Sequence, residues 1–300
     1  MRPRIAFAAN PVAGAGRGRA AARAALPVLA EELVVDDVTG PDADTSAAAL
    51  ADAVRAGVDA VVVSGGDGMV HLAVNVVAES GTPLGIVPAG TGNDIARELG
   101  VPRDPAAAAR VATQALLFGR RRPVDAVRCR PAAGGPARWF AGVLAAGFDA
   151  VVNERANGWR RPRGSAKYAL AMARELPVFR ERSYLLELDG HPLQVRAMLV
   201  AVANGPAYGG GMHISPDAQF DDGLLDVVVA GPISRLELVR MFPLVYSGRH
   251  LGHPRVHVHR AACVRLESAG VVGYADGERL GPLPLLCEAV PGALSLLAGG

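Results

Sequence analysis

The first 125 residues alternate short apolar runs with longer alanine-rich stretches of helical spacing. Apolar runs of four to six residues predict strands, and the amphipathic stretches between them predict helices. The predicted strands are 5–9, 33–38, 60–63 and 86–87, and the predicted helices are 19–32, 46–56, 69–77 and one that begins near Asn93. Strands that alternate with helices through short connections are typical of a parallel sheet covered by helices.

From about residue 123 the pattern changes to short, often alternating apolar runs. These runs predict strands at 124–129, 139–145, 184–188, 196–203, 225–229, 255–259, 263–267 and 285–289. Asp-Gly dipeptides, which favour tight turns, separate several of them. Helical spacing returns only near 165–176 and 234–242. We therefore expect an antiparallel β-rich sandwich in the second half of the chain.

Together the two patterns predict an α/β fold in two domains. Residues 1–124 would form a parallel-sheet, nucleotide-binding domain, and residues 125–300 a β-rich domain whose C-terminal tail packs back on the first. A length of 300 residues is enough for two hydrophobic cores. A groove between the two domains is the expected place for a ligand.

Composition narrows the classes of partner. The formal net charge of +2 gives no support for a nucleic-acid partner. The three cysteines lie far apart and lack metal-ligand spacing, which predicts reduced core residues in a cytoplasmic protein. The first residues lack the pattern of a secretory signal, and no apolar run reaches the roughly 18–20 residues of a membrane span. Any membrane contact is therefore expected to be peripheral.

Three glycine-rich turns follow predicted strands in the first half. They are 10–18, 64–68 and 88–94, and each precedes a predicted helix. Glycine allows the backbone to approach a ligand closely, and helix N-terminal amides bind anions. Asp67 could hold Mg²⁺ near a phosphate, as could Asp94, although a capping role with Asn93 at a helix start also explains Asp94. The turns predict a phosphate-binding cleft, with ordinary strand–helix turns as the alternative.

Two acidic turns stand out in the second half. Residues 217–226 contain four aspartates and a turn glycine, which suit either a hard-cation site or a plain acidic turn. Asp276-Gly277-Glu278 predicts a hairpin, although its two carboxylates could also supply a general base for an alcohol. Lys167 is the only lysine in the chain, which mildly suggests a chemical role.

In order, these motifs resemble the diacylglycerol kinase catalytic-domain family, which includes soluble bacterial lipid kinases and is related to sphingosine and ceramide kinases. The resemblance covers nearly the whole chain, and the segments that carry it are 10–11, 65–68, 88–97, 209–211, 221–226, 276–278 and 288–294. The Gly-Gly-Asp-Gly element alone is shared with NAD kinases and phosphofructokinases. The distal segments favour the lipid family.

The resemblance implies roles for individual residues. Glu278 would be the base for the lipid hydroxyl, with Asp276 beside it. Asp67 would organise Mg²⁺. Asp125 and Lys167 would form a charged pair that is linked to the Asp67 carboxylate. The implied nucleotide pocket consists of Asn10, Pro11, Val12, Ala13, Gly14, Thr39, Gly65, Gly66, Asp67, Gly68, Met69, Val70, His71, Thr91 and Asn93. The implied structural Mg²⁺ site consists of Asp222 with backbone oxygens near Gln219 and Leu224.

The expected activity is ATP-dependent, Mg²⁺-assisted phosphorylation of a hydroxyl on a diacylglycerol-like lipid. The alternatives are a kinase of a soluble acceptor, such as NAD or a sugar phosphate, and a non-catalytic nucleotide- or lipid-binding regulator. Met69 stands where the family usually has threonine, which favours altered nucleotide handling. Residues 159–163, with tryptophan and arginines, are a candidate membrane contact. A homodimer is possible.

Overall fold

The computed structural model describes residues 1–159, 165–175 and 179–299, and of residues 157 and 165–169 it describes the backbone only. Lys167 and residues 160–163, which carry two of the predictions above, therefore lie outside the described side chains. The described chain forms two compact units. Unit 1 consists of 1–126 and 291–300, and unit 2 consists of 127–290.

The helices and strands of unit 1 alternate along the chain, as the sequence predicts. The strands are β1 (Arg4–Ala9), β2 (Val34–Asp37), β3 (Ala60–Gly65) and β4 (Leu84–Pro88). The helices are α1 (Ala13–Glu32), α2 (Ala43–Arg55), α3 (Asp67–Val77), α4 (Asp94–Glu98) and α5 (Pro105–Leu117). All four strands are parallel in the order β2-β1-β3-β4, which confirms the predicted parallel-sheet domain.

Helices cover the sheet of unit 1. Helices α1 and α5 pack together, and their alanines and leucines form one core with Ile5, Phe7 and Val62 of the sheet. Helices α2 and α3 also pack together, and they contact β1 and β3. Every residue of β3 is buried and is either apolar or small. A strand that is covered by helices on both faces requires such residues.

Two long strands, β5 (Arg122–Pro131) and β16 (Leu285–Leu296), have residues in both units. Within unit 1, Leu296 of β16 pairs in parallel with Leu84 of β4, and the Leu297 amide donates to the Leu84 carbonyl at 2.8 Å. Leu297 is buried in the same core as α1 and α5. The last strand of the chain thus extends the sheet of unit 1.

Unit 2 is built mainly from antiparallel strands. They are β6 (Arg138–Phe140), β7 (Val143–Gly147), β8 (Arg182–Leu188), β9 (His191–Ala197), β10 (Leu199–Ala203), β11 (Leu225–Ala230), β12 (Val256–Ala261), β13 (Cys263–Glu267), β14 (Val272–Ala275) and β15 (Glu278–Pro282). One sheet has the order β12-β11-β10-β7-β14-β15, and the other joins β16, β13, β8 and β9. Their facing apolar side chains form one core, as expected for a sandwich.

The described part of unit 2 also contains three α-helices. They are α6 (Phe148–Asn157), α7 (Ser165–Glu175) and α8 (Arg235–Val245), and a short 3₁₀ helix follows at Arg249–Gly252. Ser234 and Glu237 form a reciprocal capping box that fixes the start of α8. Among the described residues, no helix combines the length and the apolar character needed to cross a bilayer.

Several local predictions were wrong. The run 139–145 is two strands, which part at Ala141 and Gly142, and the amides of these two residues donate to the Asp276 carboxylate. The run 196–203 is also two strands, which part at Met198. Helices α5 and α6 were not predicted. The sequence signal for α5 was present, since Asp104 caps it and Pro105 follows, whereas α6 follows Gly147 without a side-chain cap.

Candidate functional site

The three glycine-rich turns of unit 1 follow neighbouring strands, since β1, β3 and β4 lie side by side. They therefore meet at the carboxyl edge of the sheet, where open α/β sheets bind ligands. A Cβ atom placed on Gly90 would lie 2.5 Å from the Gly66 Cα atom and 2.7 Å from Asn93 Oδ1. Only glycine fits there. The structure thus brings the second and third turns into direct backbone contact.

Polar side chains brace each turn from within. Asn93 has a left-handed backbone with φ +53°, and its side-chain amide accepts from the Gly90 amide at 2.8 Å and donates to the Gly90 carbonyl at 3.0 Å. Asn10 Oδ1 accepts from the Val12 amide at 3.1 Å. Asp67 Oδ1 accepts from the Ile95 amide at 3.3 Å, which ties the start of α3 to α4. The turns are therefore held in place by the protein itself.

Positive charge lies at the same turns. Arg17 Nε donates to the Gly14 carbonyl at 3.0 Å, and Arg17 Nη2 donates to the Gly90 carbonyl at 3.2 Å. The guanidinium thus bridges the first and third turns. The cap residue of α3 is Gly66, which has no side chain to accept a hydrogen bond from the first amides of this helix. A helix N-terminus and a guanidinium in one place favour a bound anion.

The other predicted nucleotide residues have varied surroundings. Thr39 Oγ1 accepts from the Ala9 amide at 3.0 Å, at the end of β1. Val12 and Thr91 are exposed, Pro11, Ala13 and Gly68 flank the turns, and Val70 and His71 are buried in α3. Met69 is 7% exposed and packs directly on Gly65, where a Cβ atom would lie 2.5 Å from the Met69 Cβ atom. Met69 therefore fills space behind the second turn.

Two further carboxylates have structural partners. Asp94 is buried and forms an ion pair with Arg97 at 2.7 Å, whereas Asn93, the cap residue of α4, makes no side-chain capping hydrogen bond. Asp125 is also buried, and its Oδ1 accepts from the Gly292 amide at 2.8 Å. Asp125 thus anchors the C-terminal strand within unit 1. Its predicted partner Lys167 has no described side chain.

In unit 2, Asp276 and Gly277 form the two-residue turn between β14 and β15. Both have positive φ, +52° and +86°, which is typical of a type I′ hairpin turn. The Asp276 carboxylate accepts from the amides of Ala141, Gly142 and Val143 at 3.0, 3.0 and 3.2 Å. Asp276 therefore fixes the hairpin, and it presents Glu278 as an exposed side chain at the first position of β15.

The acidic turn before β11 is bound by an arginine of β12 that sequence reasoning missed. Asp222 accepts from the Leu224 amide at 3.0 Å and forms an ion pair with Arg260, which also pairs with Asp226 at 3.1 Å. Asp226 further accepts from Ser215 Oγ at 2.6 Å. Arg260 reaches this turn because the register of β11 and β12 places it opposite Asp226, and the sequence alone does not give that register.

The predicted Mg²⁺ site at this turn is not well matched by the donor set. Both carboxylate oxygens of Asp222 already have partners, and Arg260 supplies the positive charge. Across the described residues, no group of three His, Cys, Asp or Glu side chains is placed to hold a metal ion. The site at Gln219, Asp222 and Leu224 stays a prediction, and we assign it no chemical step.

A cavity lies within unit 2 between α8 and one face of the six-stranded sheet; we call it the α8 cavity. Its volume is about 150 Å³. The lining is Phe148, Asp149, Met172, Met198, Leu199, Tyr208, Met212, Ile214, Val228, Ala230, Leu238, Val239, Met241, Phe242, Val245, His250 and Val256. Such an apolar lining suits a hydrocarbon chain.

Two family models match the chain. The diacylglycerol kinase catalytic domain matches residues 4–129, and the YegS C-terminal NAD kinase beta sandwich-like domain matches residues 142–298. A diacylglycerol kinase from Mycobacterium tuberculosis (strain CDC 1551 / Oshkosh) is 42% identical over 291 residues, which cover 96% of this chain and 93% of that protein. A diacylglycerol kinase from Bacillus subtilis (strain 168) is 26% identical over 230 residues, which cover 75% and 73%.

Solved structures show the same fold at lower sequence identity. The crystal structure of a diacylglycerol kinase from Bacillus anthracis str. Sterne has a TM-score of 0.72 at 21% identity, covering 99% of this chain and 97% of that one. Yeast NADH kinase in complex with NADH has a TM-score of 0.54 at 12% identity, covering 99% and 83%. The fold is therefore similar to that of an NADH kinase as well, in line with the Gly-Gly-Asp-Gly element that the sequence shares with NAD kinases.

Proposed function

This chain belongs to the diacylglycerol kinase family, and on that premise we propose that it transfers the γ-phosphoryl group of ATP to a hydroxyl of a diacylglycerol-like lipid. The observation that carries the lipid assignment is the α8 cavity, because its lining is almost wholly apolar and a soluble phosphorylated acceptor would gain nothing from it. We further propose cytoplasmic action on a membrane surface.

We propose that the three turns of unit 1 bind the phosphates of ATP. The backbone leaves no room for a Cβ atom at Gly14 and Gly90, and Arg17 adds charge beside these two residues. Phosphoryl transfer needs positioning and charge neutralisation more than covalent help from the protein. Turns that are already braced by Asn10 and Asn93 supply that positioning without reorganisation.

Asp67 is the residue that would hold Mg²⁺ with the ATP phosphates. Its carboxylate lies at the turn itself and is partly exposed, and carboxylate and phosphate oxygens are the ligands that Mg²⁺ prefers. When bound there, Mg²⁺ would neutralise charge on the phosphates. The Asp67 hydrogen bond to the Ile95 amide keeps the carboxylate oriented.

Glu278 is the proposed general base. It would accept the proton of the lipid hydroxyl as that oxygen forms a bond to the γ-phosphorus, while the bond from phosphorus to the bridging oxygen breaks and ADP leaves. Glu278 is exposed, which a residue that meets an incoming substrate requires. Asp276 acts as a positioning residue, because its three hydrogen bonds hold the hairpin that carries Glu278.

The test is transfer of labelled phosphate from ATP to separate acceptors: diacylglycerol, sphingosine, ceramide, a glycolipid and NAD. We expect label on a lipid, with Asp67→Asn and Glu278→Gln each reduced by about 10²-fold or more. The matched controls are Asp52→Asn and Glu187→Gln, which change exposed carboxylates remote from the turns and the hairpin. Label on NAD alone contradicts the lipid assignment, and nucleotide binding without transfer to any acceptor supports a regulator.

A further inference from the structure

Among the described residues that line the α8 cavity, three side chains carry a nitrogen or oxygen atom: Asp149, Tyr208 and His250. The other fourteen lining residues carry apolar or thioether side chains. A cavity that served hydrocarbon alone would gain from apolar residues at all positions, because a buried polar group that lacks a partner destabilises the protein. The polar residues therefore need an explanation beyond packing.

His250 is 3% exposed, and its ring has one partner. Nε2 lies 3.1 Å from the Ile214 carbonyl oxygen. A carbonyl only accepts, so Nε2 carries the hydrogen and Nδ1 is an acceptor. Nδ1 is buried and has no hydrogen-bond partner among the residues that the structure describes. Burial lowers the pKa of His250, which keeps the ring neutral. The cavity thus contains an acceptor that needs a donor.

Asp149 lies in the first turn of α6, at the Phe148 side of the same cavity. Its side chain is partly buried, and burial raises the pKa of its carboxyl group to about 6. No ion pair or hydrogen bond involves the Asp149 side chain within the described part of the chain. The carboxylate is a second acceptor without a donor in surroundings that favour hydrocarbon.

Geometry within unit 2 separates Asp149 from the proposed base. Ala275, which pairs with Glu278, lies opposite Leu144 on β7, and Gly147 ends that strand just before Phe148 and Asp149. Three residues of extended strand span about 10 Å. A lipid whose hydroxyl meets Glu278 would therefore present its chain, rather than its reacting end, to Asp149.

We propose that the α8 cavity binds a hydrocarbon chain of the acceptor lipid and that Asp149 and His250 select a chain bearing a hydrogen-bond donor, such as a hydroxyl group. This proposal rests on the proposed lipid-kinase function, because that function makes the lipid in the cavity the substrate. A plain acyl chain offers no donor and leaves both acceptors unpaired, whereas a chain hydroxyl donates to one of them.

The test uses the full chain without nucleotide, so its outcome does not depend on transferase activity. Fluorescent cis-parinaroylglycerol is displaced with 1-stearoylglycerol or with 1-(12-hydroxystearoyl)glycerol, two neutral lipids that differ by one hydroxyl. We expect the hydroxylated lipid to bind about tenfold tighter, the effect of one buried hydrogen bond. His250→Phe and Asp149→Leu should each reduce that preference, whereas His257→Phe, at an exposed position of β12, should keep it.

Equal affinity of the wild type for the two lipids would overturn the selection. A preference that survives both substitutions would overturn the roles of Asp149 and His250, and failure of the fluorescent lipid to bind would overturn the cavity assignment. Circular dichroism melts check that each variant folds. If His250→Phe does not fold, Asp149→Leu alone tests the preference for the hydroxylated lipid. A retained binding preference in a protein that phosphorylates no lipid would contradict the proposed function alone.

Discussion

The phosphate turns of unit 1 and the α8 cavity of unit 2 are built in opposite ways. Each turn is one short stretch of sequence, held by its own residues, such as Asn93 with Gly90, and by the neighbouring turns, as Arg17 with Gly90 shows. The cavity is lined by residues from Phe148 to Val256, which come from strands, helices and loops. The turns depend on backbone geometry, whereas the cavity depends on side-chain volume and polarity.

The two regions therefore respond differently to substitutions. In the turns, a methyl group added at Gly14 or Gly90 would lie 2.2 Å from the Ala89 carbonyl oxygen or 2.5 Å from the Gly66 Cα atom, so backbone atoms must move. In the cavity, a substitution changes which chain fits while the surrounding sheet remains. We therefore expect changes in the turns to abolish function and changes in unit 2 to be graded.

The largest effect is expected from Gly90→Ala. The new Cβ atom would lie 2.5 Å from Gly66 Cα, so the second and third turns must separate. We expect loss of ATP binding by calorimetry and a decrease of about 1–3 kcal/mol in the free energy of unfolding. Gly299→Ala in the same unit, where the nearest atom is 3.8 Å away, is the control. ATP affinity equal to the wild type would show that turn contact is unnecessary.

Asp276→Ala tests how far the hairpin between β14 and β15 depends on one carboxylate. It removes three hydrogen bonds to the amides of 141–143, so unfolding should be easier by about 2–4 kcal/mol. Phosphoryl transfer should fall as well, because Glu278 loses its support. Urea denaturation and the transfer assay measure the two effects. Unchanged stability together with reduced transfer would mean that Asp276 acts on substrate directly.

Asp149→Asn has an effect that depends on pH. Burial raises the pKa of Asp149 to about 6 in the folded protein, above the value of about 3.9 in an unfolded chain. The folded state then binds more protons between these values, so this group lowers stability as pH rises from 4 to 6. We expect the stability advantage of the variant to grow by about 1–3 kcal/mol over that range in urea titrations. A constant difference would contradict the raised pKa.

Met69→Thr returns a hydroxyl to the second turn and shortens a buried side chain. We expect a loss of about 1–3 kcal/mol in stability from the cavity that remains behind Gly65. The KM for ATP should change less than tenfold, since backbone amides still bind the phosphates. Calorimetric melts and initial rates measure the effects. A restored activity far above the wild type would show that Met69 limits catalysis.

The smallest effect concerns Arg260→Gln. Removal of the guanidinium leaves Asp222 and Asp226 without their cation, so added Mg²⁺ should raise the melting temperature of the variant by a few degrees more than that of the wild type. Ca²⁺ and Na⁺ are the comparison ions. An equal response of both proteins to Mg²⁺ would show that Arg260 does not compete with an ion there.

Sequence pattern was sufficient where the signal is local. The parallel sheet of unit 1, the three turns and the Asp276-Gly277 hairpin each follow from residues within a few positions of one another. The lipid-kinase family followed from the order of such motifs. Helix α6 was missed because it begins directly after a strand, with glycine in place of a capping side chain.

The remaining features depend on contacts between distant residues. Asp276 meets residues 133 to 135 positions away, and the register that sets Arg260 against Asp226 joins two strands. Asp149 and His250 share the α8 cavity although 100 residues separate them in the chain. No local pattern encodes such a meeting, since it depends on how whole strands pair and pack.

The C-terminal strand has a consequence for synthesis of the protein. Leu84 pairs with Leu296, and Asp125 holds Gly292, so the sheet of unit 1 gains its last strand from residues made after all of unit 2. A nascent chain that has left the ribosome as far as residue 126 still lacks that strand. Unit 1 can therefore finish folding only after the whole of unit 2 has been translated.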